Sequence, residues 1–280
     1  MRVLVAGAAG MLGQDVVDAA RRSGHEVTAL TRHELDITDP AAIDREIGAA
    51  RPEAVIDCAA WSDVDGAEDD ERGATTINAT AAGLLAAAAA RAGASILYPS
   101  TDYVFDGSKD GPYLEEDMPA PINAYGRSKL GGEVSVAAAN PRHFIVRTSW
   151  LFGLGGGNFV ETMLRIGAEQ PEVLVVSDQV GCPTSTADLA EGMVELVATD
   201  AHGIHHMVGA GACSWFDFAV EIFDQARSET RVMSATTEMM ARKATRPANS
   251  VLGHSREDAI LLQPWQQALR RYLDDRELDR

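Results

Sequence analysis

A tyrosine and a lysine stand four residues apart in the segment NAYGRSKLGGE, residues 123–133. Placed at i and i+4, Tyr125 and Lys129 share one face of a helix, one turn apart. A phenol ordinarily titrates near pH 10, so it parts with its proton reluctantly at about pH 7. An opposite charge within reach lowers that value by roughly 1–3 units. The pair would then be a competent general acid or base near neutrality. Two surface side chains four apart would look the same, so the chemistry needs a fold and a cofactor around it.

The chain supplies elements that could position such a pair. RVLVAG, HEVTAL, AVIDCAA, SILYPST and HFIVRTSWLFG read as short apolar strands. Between them lie helical patterns: GMLGQDVVDAARRSG, DPAAIDREIGAARP, ATTINATAAGLLAAAAARAG and the Tyr125 segment. Alternation of this kind means βαβ units and a parallel sheet. The predicted class is α/β, a Rossmann-type doubly wound parallel sheet over residues 1–150. Residues 151–280 form a smaller C-terminal, mainly substrate-binding lobe, with some segments returning to the core.

The first strand runs into VAGAAGMLGQDVV, where Gly7, Gly10 and Gly13 are spaced GxxGxxG. Between a strand and a helix this spacing fits a dinucleotide. The first glycine permits a tight turn, the second lets the backbone approach a pyrophosphate, and the third allows close helix–strand contact. Met11 and Leu12 open the helix, whose free N–H groups and partial positive charge favour phosphate. At the end of the second strand Arg32 stands where an NAD site usually carries an acid. A cation there suits a 2′-phosphate, so NADPH is the expected cofactor. Glu34 and Asp36 are close enough to keep NADH possible. Asp36 and Ile37 in LDITD should pass near the adenine.

Composition narrows the partners. A formal charge of −18 argues against nucleic acid and anionic membrane, which reward basic patches. The acidic run DVDGAEDDE, residues 63–71, reads as a solvated face. With 46% hydrophobic residues in 280, a sizeable core can form. The opening MRVLVAGAAG lacks the basic and apolar regions of a secretion leader, and the alanine-rich stretch near residue 85 is too short for a membrane span. Cys58, Cys182 and Cys213 form no CxxC, which fits a reducing cytoplasm. His205 and His206, adjacent in a strand, point to opposite faces and cannot chelate one ion, so no metal is expected. Ser100 has no GxSxG elbow. The SWFDFA aromatics read as a packed helix face.

In order along the chain, the glycine loop, STDYVF at the end of the fourth strand and YxxxK resemble the extended short-chain dehydrogenase/reductases. STDYVFDG, AYGRSKLGGE, RTSWLFG, GNFVETML, DQVGCPT, GAGACSWFDFA and RPANSVL together resemble the dTDP-4-dehydrorhamnose reductase family, over nearly the whole chain. The resemblance implies NADPH-dependent reduction of the 4-keto group of a nucleotide sugar. It implies that Tyr125 donates the proton, that Lys129 holds the nicotinamide ribose and lowers the phenol's pKa, and that Thr101 bonds the keto oxygen. Asn78 would support the lysine, and Ala59 and Ala60 would flank the cofactor. Asp102, Tyr103 and Trp150 would meet the sugar. Asn158 and Arg246 would meet the nucleotide diphosphate, and Asp178, Gln179, Pro183 and Thr184 would shape a turn of the pocket. Homodimers are common in such families. The resemblance also leaves open a related deoxysugar ketoreductase, or a non-catalytic regulatory subunit like that of methionine adenosyltransferase.

Overall fold

The computed structural model describes residues 1–278. Its centre is a six-stranded parallel sheet. Five strands are β1 (Arg2–Ala6), β2 (Glu26–Leu30), β3 (Ala54–Asp57), β4 (Ser95–Thr101) and β5 (His143–Thr148). The sixth is Gly203–His206, and the spatial order from that edge is Gly203–His206, β5, β4, β3, β1, β2. All pairings are parallel.

Parallel strands buried on both faces explain the near-continuous apolar runs. Leu4 and Ala6 face one core, against Ile43 and Ile47 of α2 (Pro40–Ala50) and the alanines of the helix Glu71–Arg91. Val3 and Val5 face the other, against Val16 and Val17 of α1 (Met11–Arg22) and Leu189 and Met193 of the helix Thr186–Leu196. Each of the buried valines, leucines and isoleucines among these contributes about 1.5–3 kcal/mol. The strand Gly203–His206 and the helix Thr186–Leu196 thus belong to the sheet layer although they lie beyond residue 150. A third core, around Phe152, Phe218, Ile222, Trp265 and Leu269, fills the C-terminal lobe.

The helix Glu71–Arg91 is longer than the sequence suggested. It has 21 residues and, by length and composition, could cross a membrane. Here its buried side packs into the sheet core. A π-helical turn at Thr76–Ala81 lets it pass close to the helix Ala124–Ala139, which carries Tyr125 and Lys129. That second helix is continuous despite Gly126, Gly131 and Gly132. Asn123 starts it by accepting the Gly126 N–H at 2.7 Å. The glycines are there for packing. A Cβ on Gly126 would overlap the Tyr103 carbonyl, and one on Gly132 would overlap the Asn78 carbonyl and the Tyr98 hydroxyl.

Candidate active site

The chain reverses direction across the sheet between β1 and β3, and the loops after both strands open one crevice there. Gly7 has φ +72°, a left-handed turn that favours glycine. A Cβ on it would come within 2.6 Å of the Ala59 nitrogen, so the two loops are in backbone contact. The N-cap of α1 is Gly10, which has no side chain to cap the helix and leaves its N–H groups free for a ligand. The cleft, about 500 Å³, is lined among others by Gly7, Gly10, Arg32, Asp36, Ile37 and Ala59. Ala60 and Trp61 line it as well. These features fit a dinucleotide diphosphate on the glycine turn. Glu34 turns its carboxylate back onto the N–H and hydroxyl of Thr31, both at 2.8 Å. Asp36 does the same to Thr38. Arg32 is the charged side chain left facing the cleft mouth.

Thr101 ends β4 and Tyr125 stands in the first turn of its helix. The Thr101 hydroxyl donates to Asp102 Oδ1 at 3.0 Å and accepts the Tyr103 N–H at 3.1 Å. Asp102 is buried, and its Oδ2 has no hydrogen bond of acceptable geometry, although the Ser250 hydroxyl lies near enough to favour the anion. Desolvation still pushes Asp102 up to about 7. Tyr125 packs edge-on against Tyr103, ring centroids 6.1 Å apart.

The pKa of Tyr125 runs opposite to expectation. It is pushed up to about 12, by desolvation first and by the Asp102 carboxylate second, with the Thr101 hydroxyl drawing it partly back. Lys129 spends its charge elsewhere. Its ammonium lies over the Tyr98 ring, 4.0 Å from the centroid, and the opposite charges acting on it are Asp57 and Glu133. Burial outweighs both and pulls Lys129 down to about 8. Glu133 is itself held by Arg147, at 2.8 and 2.9 Å, and by the Ser100 hydroxyl at 2.6 Å, all buried. Asp57 keeps one oxygen without a partner, and burial raises its pKa to about 6.

Asn78 acts on the lysine through its backbone. Its carbonyl accepts the Tyr98 hydroxyl at 2.7 Å, fixing the ring under Lys129. Its side chain meanwhile clamps the loop after β3, exchanging hydrogen bonds with the Trp61 backbone at 2.9 and 3.0 Å. Met11, Leu12 and Gly13 sit at the start of α1, and a Cβ on Gly13 would overlap the Gly7 carbonyl.

A second cavity, about 370 Å³, opens beside Tyr103 and runs between the helix Phe159–Glu169 and the strand Glu172–Val176. Phe159, Trp215, Gln179, Arg242 and Arg246 line it. Trp215 was the residue sequence reasoning missed: SWFDFA does pack Phe218 in the core, but Trp215 faces this cavity. The available sign was the Ser214/Asp217 capping box, which starts a helix at Trp215 and leaves it at the exposed end. Trp150 stacks on it, centroids 3.5 Å apart and planes 7° from parallel. Trp150 holds φ +48°, a strained value for a non-glycine residue.

Asn158 makes local contacts in this structure. Its oxygen caps the helix Phe159–Glu169 through Glu161 N–H at 3.1 Å, and its amide donates to the Gly153 carbonyl at 2.9 Å. Both ends are spent on structure. Asp178 and Gln179 both bind Thr237, tying their turn to the lobe's outer loop. The acidic run is solvated only in part: Asp63, Asp69, Asp70 and Glu71 are exposed, while Asp65 and Glu68 are half-buried and paired.

A nucleotide cleft on a glycine turn, meeting a Tyr, Thr and Lys cluster at the carboxyl ends of a parallel sheet, defines a nicotinamide-dependent reductase of the short-chain type. The chain belongs to the RmlD substrate binding domain family, whose model matches residues 1–278. It is similar to the dTDP-4-dehydrorhamnose reductase of Streptomyces griseus, 43% identical over 96% of this chain and 91% of that one. It is also similar to the spore coat polysaccharide biosynthesis protein SpsK of Bacillus subtilis, 40% identical over 98% of both. Among solved structures, dTDP-4-dehydrorhamnose reductase from Bacillus anthracis in complex with NADP superposes with a TM-score of 0.95. That pair is 38% identical over 98% of this chain and 99% of that one.

Proposed function

We propose that this chain uses NADPH to reduce the 4-keto group of dTDP-4-dehydro-6-deoxy-L-mannose, giving dTDP-L-rhamnose. The reading rests above all on one observation: Tyr125 packs edge-on against Tyr103, whose N–H binds the Thr101 hydroxyl and whose ring borders the aromatic cavity. The names of its relatives, and the NADP held by the Bacillus anthracis structure, support the substrate and the cofactor. Residues 1–150 carry most of the cofactor site and 151–280 most of the sugar-nucleotide site. Three unpaired cysteines accord with a cytoplasmic setting.

NADPH, when bound, supplies the hydride for the ketone carbon. The protein's own residues do the rest. The glycine turn and the α1 N-terminus take the diphosphate, Arg32 the 2′-phosphate, and Lys129 the ribose next to the nicotinamide. Thr101 exchanges its hydrogen bond to Asp102 for one to the keto oxygen, and Tyr125 protonates that oxygen as negative charge develops on it. The raised pKa of Tyr125 suits this direction. The phenol keeps its proton through binding and releases it only to a stronger base, the nascent alkoxide. Holding both reactants in one cleft supplies much of the remaining acceleration.

The test follows reduced-nicotinamide absorbance with the authentic keto-sugar nucleotide. The Tyr125→Phe variant should bind both ligands and lose about 10²–10⁴ in kcat. Turnover unchanged in that variant would overturn the mechanism. Cofactor binding without turnover of any keto-sugar by the unaltered protein would overturn the enzymatic reading.

A further inference from the structure

The acidic run 63–71 bridges the two halves of the site. On one side it holds the start of the catalytic helix. Glu68 Oε1 accepts the Ala124 N–H at 2.8 Å, and Glu71 grips Arg127 at 2.7 and 2.9 Å. On the other side it holds the loop 242–246 of the C-terminal lobe. Asp65 takes both Nη atoms of Arg246, at 2.8 and 2.9 Å, and the Ala244 N–H at 2.9 Å. Asp69 pairs with Lys243, and Arg242 comes within 3.9 Å of Asp65. Asn123, the cap of the catalytic helix, donates to the Thr245 carbonyl of the same loop at 2.9 Å.

Exposed ion pairs are ordinarily worth little. The Asp65–Arg246 pair differs. Its side chains are 30% and 15% exposed, its geometry is bidentate, and a third donor fixes the carboxylate. Asp65 remains ionised throughout the working range, because Arg246 holds it down near 2. The Arg246 Nη1 atom also donates to the Ala244 carbonyl at 2.7 Å. Of five guanidinium N–H groups these contacts occupy three. The Tyr103 hydroxyl is a further partner of the guanidinium, which lines the aromatic cavity beside it.

We propose that Asp65 is a positioning residue for the sugar nucleotide: it orients the Arg246 guanidinium toward the anionic diphosphate, from the same run whose Glu68 and Glu71 hold the helix bearing Tyr125. The inference rests on the reading of this cavity as the nucleotide-sugar site. It is tested by titrating dTDP calorimetrically into the NADPH-loaded protein, for the unaltered chain, Asp65→Asn and Asp65→Glu. Steady-state kinetics and cofactor affinity are measured on the same proteins. Asp65→Asn should weaken dTDP and raise the KM for the keto-sugar about tenfold, as for one misplaced charge-assisted contact. Its kcat and NADPH affinity should stay near the unaltered values, and Asp65→Glu should recover most of the loss. Equal dTDP affinity in Asp65→Asn would overturn the proposal. So would tighter binding, which would make Asp65 a competitor of the diphosphate. A parallel fall of dTDP affinity, NADPH affinity and Tm would overturn it too, reducing the strap to a structural tie. Failure of the unaltered protein to bind dTDP would instead defeat the underlying assignment of the cavity.

Discussion

The two cavities of the site are built on different principles. The dinucleotide cleft is made of backbone: a left-handed glycine, an uncapped helix N-terminus and the small residues Ala59 and Ala60. The aromatic cavity is made of side chains: Phe159, Trp215, Arg242 and Arg246, carried by helices and loops of the C-terminal lobe. A backbone wall admits one shape and has no rotamers with which to adapt. A side-chain wall can be retuned one residue at a time. The first should therefore fail abruptly on the smallest substitution, and the second should lose affinity in steps.

Gly7→Ala probes that contrast most severely. The added methyl would meet the Ala59 and Cys58 backbone at 2.6–2.7 Å, in a conformation that L residues avoid. Overpacking of this kind costs about 1–3 kcal/mol, so NADPH affinity should fall roughly ten- to a hundredfold. Affinity for dTDP, measured by calorimetry, should barely change. An equal fall in both would mean that the two walls are one unit and that the contrast is wrong.

The same contrast decided what could be read from the sequence. Backbone-built features leave composition marks: the GxxGxxG spacing, the short apolar strands and the four-residue step from Tyr125 to Lys129 were all legible, as was Arg32 at the end of β2. Features made by distant side chains meeting were not. Nothing local distinguishes Asp57 and Asp102, buried at strand ends, from ordinary surface acids. Their burial, with the charge of Lys129 directed to Asp57 and Glu133, reversed the expected shift of Tyr125. The pairings of the acidic run were not legible because its partners, Ala124, Arg127, Ala244 and Arg246, lie more than fifty residues away. The capping role of Asn158 was not legible either, because a helix cap uses the same amide chemistry as a ligand contact.

Arg32 sharpens the comparison from the other side, since it is a cation lining the cofactor cleft. Arg32→Ala should reduce kcat/KM with NADPH about tenfold, as for the loss of one charge-assisted contact, and leave the NADH value nearly unchanged. The ratio of the two coenzymes in paired assays is the readout. A preserved ratio would mean that the backbone alone selects the coenzyme.

The mildest expectation concerns pH, and it separates the lysine from both walls. Burial pulls Lys129 down to about 8, against the opposing pull of Asp57 and Glu133. A lysine shifted this way is charged below that value and neutral above it. The ammonium that is to hold the ribose is therefore lost as pH rises through about 8. Because kcat/KM for NADPH reports groups of the free enzyme, it should be level near neutrality and decline above that point. Tyr125, pushed up to about 12, stays protonated across the same range and cannot produce the decline. Asp57→Asn removes the first-ranked anion sustaining the lysine's charge, so the decline should begin at lower pH. A decline that stays in place in Asp57→Asn would show that Lys129 answers to Glu133, one turn along its own helix and held by Arg147 of β5, and not to the strand that borders the dinucleotide.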